Sequence, residues 1–333
     1  MSERKRVFSG IQPTGEPHLG NYLGAVRNWV VQQDEHDSFF CIVDLHAMTQ
    51  PWSPDELQTR SVGLGALLLA CGIDPDRSTL FIQSHVAEHT ELAWILSCVA
   101  RMGELRRMVQ FKEKSKGDTT SVSVGLFTYP VLQAADVLLY QAHGVPVGED
   151  QRQHVELMRD IGGRFNSSFG ETFVLPEAWI PKTGARIMAL DDPTQKMSKS
   201  AGRPNSYVML VDPPEVIAKK FKVAVTDSGR EVRAAEDKPA LTNLLTIMSL
   251  VEDVPIPELE SRFEGKGYGD LKVALGEAVA ARLEPIRTRY EELMKDPAET
   301  MRLLAVGADR ARKVAEETMR DVRARVGLAA PGS

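Results

Sequence analysis

Two lysines three residues apart stand in the string Lys196-Met197-Ser198-Lys199-Ser200, which runs on into Ala201-Gly202-Arg203-Pro204. Ammonium groups interleaved with hydroxyls on a flexible loop can close over a polyphosphate and neutralise the charge that builds on departing pyrophosphate. The implied chemistry is cleavage of a nucleoside triphosphate coupled to activation of a small substrate. A second candidate for phosphate contact lies near the N-terminus, in Ser9-Gly10-Ile11-Gln12-Pro13-Thr14-Gly15 and His18-Leu19-Gly20-Asn21. Two glycines and a proline let the chain turn tightly off a strand, and the free N–H groups of the following helix start suit an anion. There is neither a Gly-x-Gly-x-x-Gly nor a Gly-Lys-Ser/Thr string here, so the phosphate-binding lysine has to come from elsewhere. Lys196 and Lys199 can supply it.

A third pattern points to a small-molecule pocket. Tyr129, Gln133, Asp136 and Tyr140 recur at spacings of four, three and four, which lines them along one face of an otherwise apolar helix. Asp136 either caps or pairs with a nearby base, or accepts a hydrogen bond from a bound substrate. His46 ends the second expected strand, where an α/β sheet presents ligands, and is either a pocket residue or a satisfied structural histidine.

These residues need elements to hold them. Short β-rich runs at Val7 to Ile11, Ser38 to Val43 and Ser78 to Gln83 alternate with helical patterns at Leu19 to Gln33, Pro54 to Cys71 and Glu88 to Met102. Strands separated by helices imply a parallel sheet with right-handed crossovers. A polar loop is expected over Lys114 to Val122, then a helix from Val131 to Tyr140, a strand at Val145 to Val147, a helix to about Phe165 and a strand at Ala185 to Leu190. Beyond Pro213 the periodicity is helical, over Leu241 to Val251, Leu271 to Met294 and Ala298 to Val326. The fold class expected is α/β: a Rossmann-like parallel-sheet nucleotide-binding domain over 1–205, an all-helical domain over 206–296, and a C-terminal helix over 297–333 that packs back on the body.

Composition narrows the partners. The chain of 333 residues is 43% hydrophobic and carries a net charge of −6, which argues against a protein that coats nucleic acid nonspecifically. Nucleic-acid contact has to use local patches, of which Arg101 to Lys116 is one, though such a run is also an ordinary solvated face. Cys41, Cys71 and Cys98 are widely spaced, giving no disulfide framework and no metal spacing, and no metal site is expected. No signal peptide and no membrane-length apolar run stands out, so a cytoplasmic protein is expected.

Taken together, these motifs resemble the class I aminoacyl-tRNA synthetases. His18-Leu19-Gly20-Asn21 looks like that class's first signature, His-x-Gly-His, and Lys196 to Ser200 matches its second without a change. The resemblance narrows to the bacterial tryptophan-specific branch in Phe8 to Pro13, Gln110 to Ser115, Ala134-Ala135-Asp136, Val147 to Gln151, Gly184 to Met188 and Glu264 to Gly269. It implies that Gln12, Pro13, Thr14, Gly20 and Asn21 cradle ATP, that Gly148, Glu149 and Asp150 approach its ribose, and that Ile187 and Met197 flank its adenine. Lys114, Lys196 and Lys199, with Ser198 and Ser200, would meet the phosphates. Gln12, His18 and these three lysines would form the catalytic set. His18 keeps the first histidine of the signature, whereas Asn21 stands in place of the second; its amide can still donate a hydrogen bond.

For the amino acid, the resemblance implies that Asp136 accepts the indole N–H of L-tryptophan, that Tyr129 and Gln151 hold the α-ammonium, and that Phe8, Gly10, Gln133 and His46 complete the slot. Gln133 stands where many bacterial relatives carry methionine. The implied cofactors are ATP and the Mg²⁺ that arrives with it. The implied partners are tRNA(Trp) and a second copy of the chain as a homodimer, with no membrane and no DNA. The rival readings are a tyrosine-specific relative and a non-catalytic RNA-binding paralogue.

Overall fold

The structure is a computed structural model that describes residues 4–109, 122–180, 186–199 and 203–330. Five strands, β1 (Arg6–Ile11), β2 (Asp37–Ile42), β3 (Thr79–Ile82), β4 (Gly144–Pro146) and β5 (Glu177–Trp179), form one sheet in the order β3-β2-β1-β4-β5. Every pairing is parallel. Because side chains alternate across a strand, the β1–β2 register, which sets Phe8 beside Phe39 and Ser9 beside Phe40, gives the sheet two apolar faces. One face, with Phe8, Phe39, Cys41 and Val43, packs on helices that include α7 (Val124–Leu138) and α8 (Arg152–Phe169). The other, with Phe40 and Ile42, packs on α4 (Pro54–Ala70) and on the start of the chain's first helix. Helices on both faces of a parallel sheet are the α/β architecture expected.

That first helix differs from the single element anticipated over Leu19 to Gln33. It opens as α1 (Leu19–Asn21), widens into a π turn over Tyr22–Val26, and continues as α2 (Arg27–Glu35). Such widened turns are frequent at functional sites, and this one directly follows the His18 to Asn21 signature. The remaining first-half helices are α3 (Asp44–Ala47), α5 (Glu88–Ser97) and α6 (Met102–Arg107).

Two expectations are corrected. Over 186–190 no strand forms; Met188 instead makes an isolated bridge with Lys196. Ile187 and Leu190 bury against helices rather than in the sheet, and the backbone finds partners off-sheet. Asn243 accepts from the Met188 N–H at 2.9 Å and donates to its carbonyl at 3.0 Å, so one amide side chain replaces a neighbouring strand. Conversely, β5 was not expected. It is three residues long, and its Trp179 ring lies where a Cβ on Gly144 would stand, which explains the glycine in β4.

After residue 213 the regular structure of the described chain is all helical, apart from an irregular stretch over 223–238: α9 (Pro214–Lys222), α10 (Pro239–Glu252), α11 (Ile256–Arg262), α12 (Tyr268–Lys295) and α13 (Pro297–Val326). Their apolar faces continue the core of α4 without a break, through Ile217, Leu244, Leu275 and Leu283. The last helix, α13, lies across β3, and Gly307 is what lets it approach: a Cβ there would run into the Leu80 backbone.

Candidate active site

The strands β1 and β2 end side by side, so the loops after them, with α7 overhead, enclose a cavity of about 270 Å³. Its walls are about evenly apolar (Phe8, Val43, Val137, Val145, Val147) and polar, the polar groups being Ser9, Gln12, His46, Tyr129, Gln133, Asp136 and Gln151. Ser123 caps α7 by accepting from the Leu126 N–H, and the helix runs through Pro130 to Leu138, presenting Tyr129, Gln133 and Asp136 on the cavity side. Gly10 keeps the floor open, since a Cβ there would stand 2.9 Å from Val43 Cγ1.

Asp136 is 1% exposed, and its two oxygens accept from three side chains. Oδ1 takes Gln83 Nε2 and His89 Nδ1, each at 2.7 Å, and Oδ2 takes His46 Nε2 at 2.7 Å. Burial works to raise its pKa, but the His46 and His89 imidazoles overturn that and hold the carboxyl well below the usual carboxylate range. A buried anion this well satisfied can accept a hydrogen bond and cannot donate one. The pairing alternative therefore holds for Asp136 and His46, which bond to each other, and both also line the cavity.

The fourth residue of the stripe behaves differently. The helix ends before Tyr140, which is fully buried away from the cavity and has its hydroxyl 2.8 Å from His89 Nε2. Tyr129 keeps its place on the wall, 3.0 Å from His154 Nε2, with burial pushing its phenol up to about 12.

A second cavity, of about 520 Å³, opens where the turn after β1 meets the Lys196 loop. Gln12, Thr14, His18, Asn21, Ser198 and Lys199 line it. Gly15 adopts φ +126°, and a Cβ there would lie 2.5 Å from Lys199 Nζ, so only glycine lets the lysine cross this turn. Lys199 Nζ donates to the Glu16 carbonyl at 3.0 Å. Asn21 Oδ1 accepts from the His18 backbone N–H at 3.1 Å, which commits its carbonyl to the turn and leaves its amide as the donor end. The His18 ring packs against Gly20, and its Nδ1 has no partner among the described residues. Burial first, then the charges of Lys199 and Lys196, lower its pKa to about 4, so the imidazole is neutral at neutral pH.

Gln12 lines both cavities. Other expected site residues do not line either one. Pro13 and Gly20 shape the turn from behind, Ile187 and Met197 are buried in the core with the Met197 N–H on the Ile187 carbonyl at 3.0 Å, and Lys196 is exposed. Gly148, Glu149 and Asp150 sit exposed just before α8, with Glu149 bonded to Arg152. Lys114 and Ser200 lie outside the described residues, as does most of the expected polar loop. Gln83 and His89 were not singled out from the sequence. Gln83 follows directly after β3, so the strand-end rule that found His46 could have found it; for His89 no local signal exists.

The family profile of class I tRNA synthetases (W and Y) matches residues 1–284. The chain belongs to this family. As a class I synthetase it is 55% identical, over 97% of its length and 98% of the relative's, to the tryptophan–tRNA ligase of Caldanaerobacter subterraneus subsp. tengcongensis. Among solved structures, tryptophanyl-tRNA synthetase from Mycoplasma pneumoniae superposes with a TM-score of 0.89 at 37% identity, covering 98% of both chains. The Campylobacter jejuni enzyme, solved with ADP and tryptophan, superposes with a TM-score of 0.85 at 38% identity, covering 97% of this chain and 100% of that one. The resemblance read from the two signatures thus extends along the whole synthetase.

Proposed function

We propose that this synthetase attaches L-tryptophan to tRNA(Trp) with cleavage of ATP. The observation that carries the reading is the pair of cavities meeting at Gln12, one a slot walled partly by Phe8 and valines that ends on a buried carboxylate, the other a wider mouth that holds Lys199. The indole fills the slot with its ring N–H on Asp136, while Tyr129 and Gln151 face the α-ammonium. The carboxylate then emerges at Gln12, where the α-phosphorus of ATP lies.

In the first step a carboxylate oxygen attacks that phosphorus, the bond to the bridging oxygen breaks, and pyrophosphate leaves with the electron pair. Lys199, Lys196 and Lys114 neutralise the leaving charge, and His18 and Asn21 supply neutral contacts to the phosphates. In the second step a hydroxyl of the terminal ribose of tRNA(Trp) attacks the acyl carbon and AMP leaves. No covalent enzyme intermediate is needed; the protein contributes position and electrostatics. Ile187 and Met197 flank the adenine, and the Gly148 to Asp150 segment meets the ribose, once the Lys196 loop moves over the nucleotide. Among the residues lining the second cavity only Glu16 is a carboxylate, so Mg²⁺ enters with ATP, held by its phosphates.

The helices over 206–296 read the anticodon, and the 297–333 segment braces the sheet. The working form is a homodimer: Trp94 at 72% exposure, Met102 at 58% and Val124 at 77% stand out as large apolar side chains without cover. No described helix is long and apolar enough to cross a membrane, and charging is assigned to the cytoplasm, where tRNA is used. ATP–pyrophosphate exchange run in parallel with tryptophan and tyrosine tests the function. Tryptophan-dependent exchange is expected; exchange with tyrosine alone, or tRNA binding with no adenylate, refutes it.

A further inference from the structure

The three donors on Asp136 are not equivalent. His46 is part of the slot wall, whereas Gln83 and His89 are fully buried behind the carboxylate and do not line the cavity. A carboxylate oxygen has two acceptor positions. On Oδ1 both are taken, by Gln83 and His89; on Oδ2 His46 takes one and leaves the other.

We propose that Tyr140, His89 and Gln83 are positioning residues for amino-acid selection, a buried relay that fills Oδ1 and so leaves Oδ2 as the one acceptor for a ring N–H donor. This rests on the reading that Asp136 meets the indole. Tyr140 sets the direction of the relay. In the relay the Tyr140 hydroxyl donates to His89 Nε2, so the ring N–H that serves Asp136 sits on Nδ1, pointing at Oδ1. The carboxylate can only accept, which agrees with that tautomer. Phe8 and Phe39 stack on the Tyr140 ring, with centroids at 5.6 and 4.8 Å, so the ring is held by packing independently of its hydroxyl. Without the hydroxyl, Nε2 becomes an unsatisfied acceptor in a dry site and the ring loses the bond that fixes its orientation, so its Nδ1–H is no longer held on Oδ1. The carboxylate loses a fixed donor, and Oδ2 is no longer reserved for substrate.

The experiment compares full-length wild type with Tyr140→Phe, His89→Leu and His89→Asn in ATP–pyrophosphate exchange. Two amino acids are used: tryptophan, and β-(3-benzothienyl)alanine, in which sulfur replaces the ring N–H. Wild type is expected to prefer tryptophan, and Tyr140→Phe and His89→Leu to lose about tenfold of that kcat/KM ratio. The loss should fall on the KM for tryptophan, with the KM for ATP unchanged. His89→Asn should recover most of it, because its amide can donate to Oδ1. If the two damaging variants weaken both amino acids equally and the ratio stays at the wild-type value, the relay is only structural and the proposal fails. Should His89→Leu not fold, Tyr140→Phe decides alone, since it keeps the stacked ring. A wild type that does not distinguish the two amino acids refutes instead the reading of Asp136 on which the relay depends.

Discussion

Replacing Asp136 by asparagine removes one charge and changes one oxygen into an amide nitrogen, and the surroundings dictate which one. The Oδ1 position faces two N–H donors, Gln83 Nε2 and His89 Nδ1, while the Oδ2 position faces His46 Nε2 and the slot. Turning the new NH₂ toward Oδ1's partners would set it against two donors; turning it toward His46 sets it against one, and that one can be relieved if His46 moves its proton to Nδ1. The carbonyl of the new amide therefore keeps the Oδ1 position, and its NH₂ faces the substrate. A ring N–H then loses its acceptor and meets a donor. A hydrogen bond to a charged group contributes about 1.5–3 kcal/mol, so kcat/KM for tryptophan should fall about 10- to 150-fold. Repulsion between the two donors puts the result toward the larger figure, weakened use rather than none. The KM for ATP should stay where it is, because Asp136 does not line the second cavity. Exchange kinetics at saturating ATP measure the first quantity, and a titration of ATP the second. A loss below twofold, or an equal loss with the benzothienyl analogue, would refute the reasoning, since neither fits a bond made by the ring N–H.

Lys199→Met should lower kcat for exchange about 100- to 1,000-fold, the usual effect of removing one group aimed at developing charge, with the KM for tryptophan nearly constant; an unchanged kcat sinks its assigned role. Gly307→Ala should destabilise the fold by about 1–3 kcal/mol in urea unfolding, because the new methyl meets the Leu80 backbone, which cannot rotate away as a side chain could. A stability matching wild type would mean that α13 shifts freely over β3. His18 makes stability depend on pH: the unfolded chain takes up its proton near 6.5 and the folded one only near 4, so stability present above pH 6.5 is lost as pH falls toward 4. The gap corresponds to about 3 kcal/mol at most. Urea melts at pH 7 and 4.5 should therefore show a steeper acid loss in wild type than in His18→Gln, and parallel losses would contradict it.

The first three strands were legible because each is an apolar run set between helical patterns, and a parallel sheet buried on both faces needs such runs. The same rule misread 186–190, where an equally apolar run packs on helices and the strand partner is Asn243, more than fifty residues on and visible only in three dimensions. It also missed Glu177–Trp179, three residues at a sheet edge that carry no periodicity to read. On α7 the spacing of Tyr129, Gln133 and Asp136 revealed the cavity face, since helical geometry is local. Extending the stripe to Tyr140 failed for an equally local reason: the helix stops at Leu138, and Gln141 takes φ 53°.

What no spacing could supply is the number of donors on Asp136, the feature on which the proposed selectivity rests. A lone buried carboxylate would bind a proton and become as able to donate as to accept. Three N–H donors from α3, α5 and the turn after β3 keep it an acceptor. The nucleotide end is built on the opposite plan, with Lys199 laid across Gly15 and His18 kept neutral beside it, so that positive charge stays available for phosphate. The turn over 10–15 touches both, through Gly10 in the slot, Gln12 in each cavity and Gly15 under the lysine. On the proposed reading, an amino acid seated on Asp136 would present its carboxylate to the same short turn that Lys199 crosses, so one stretch of backbone would join selection to activation.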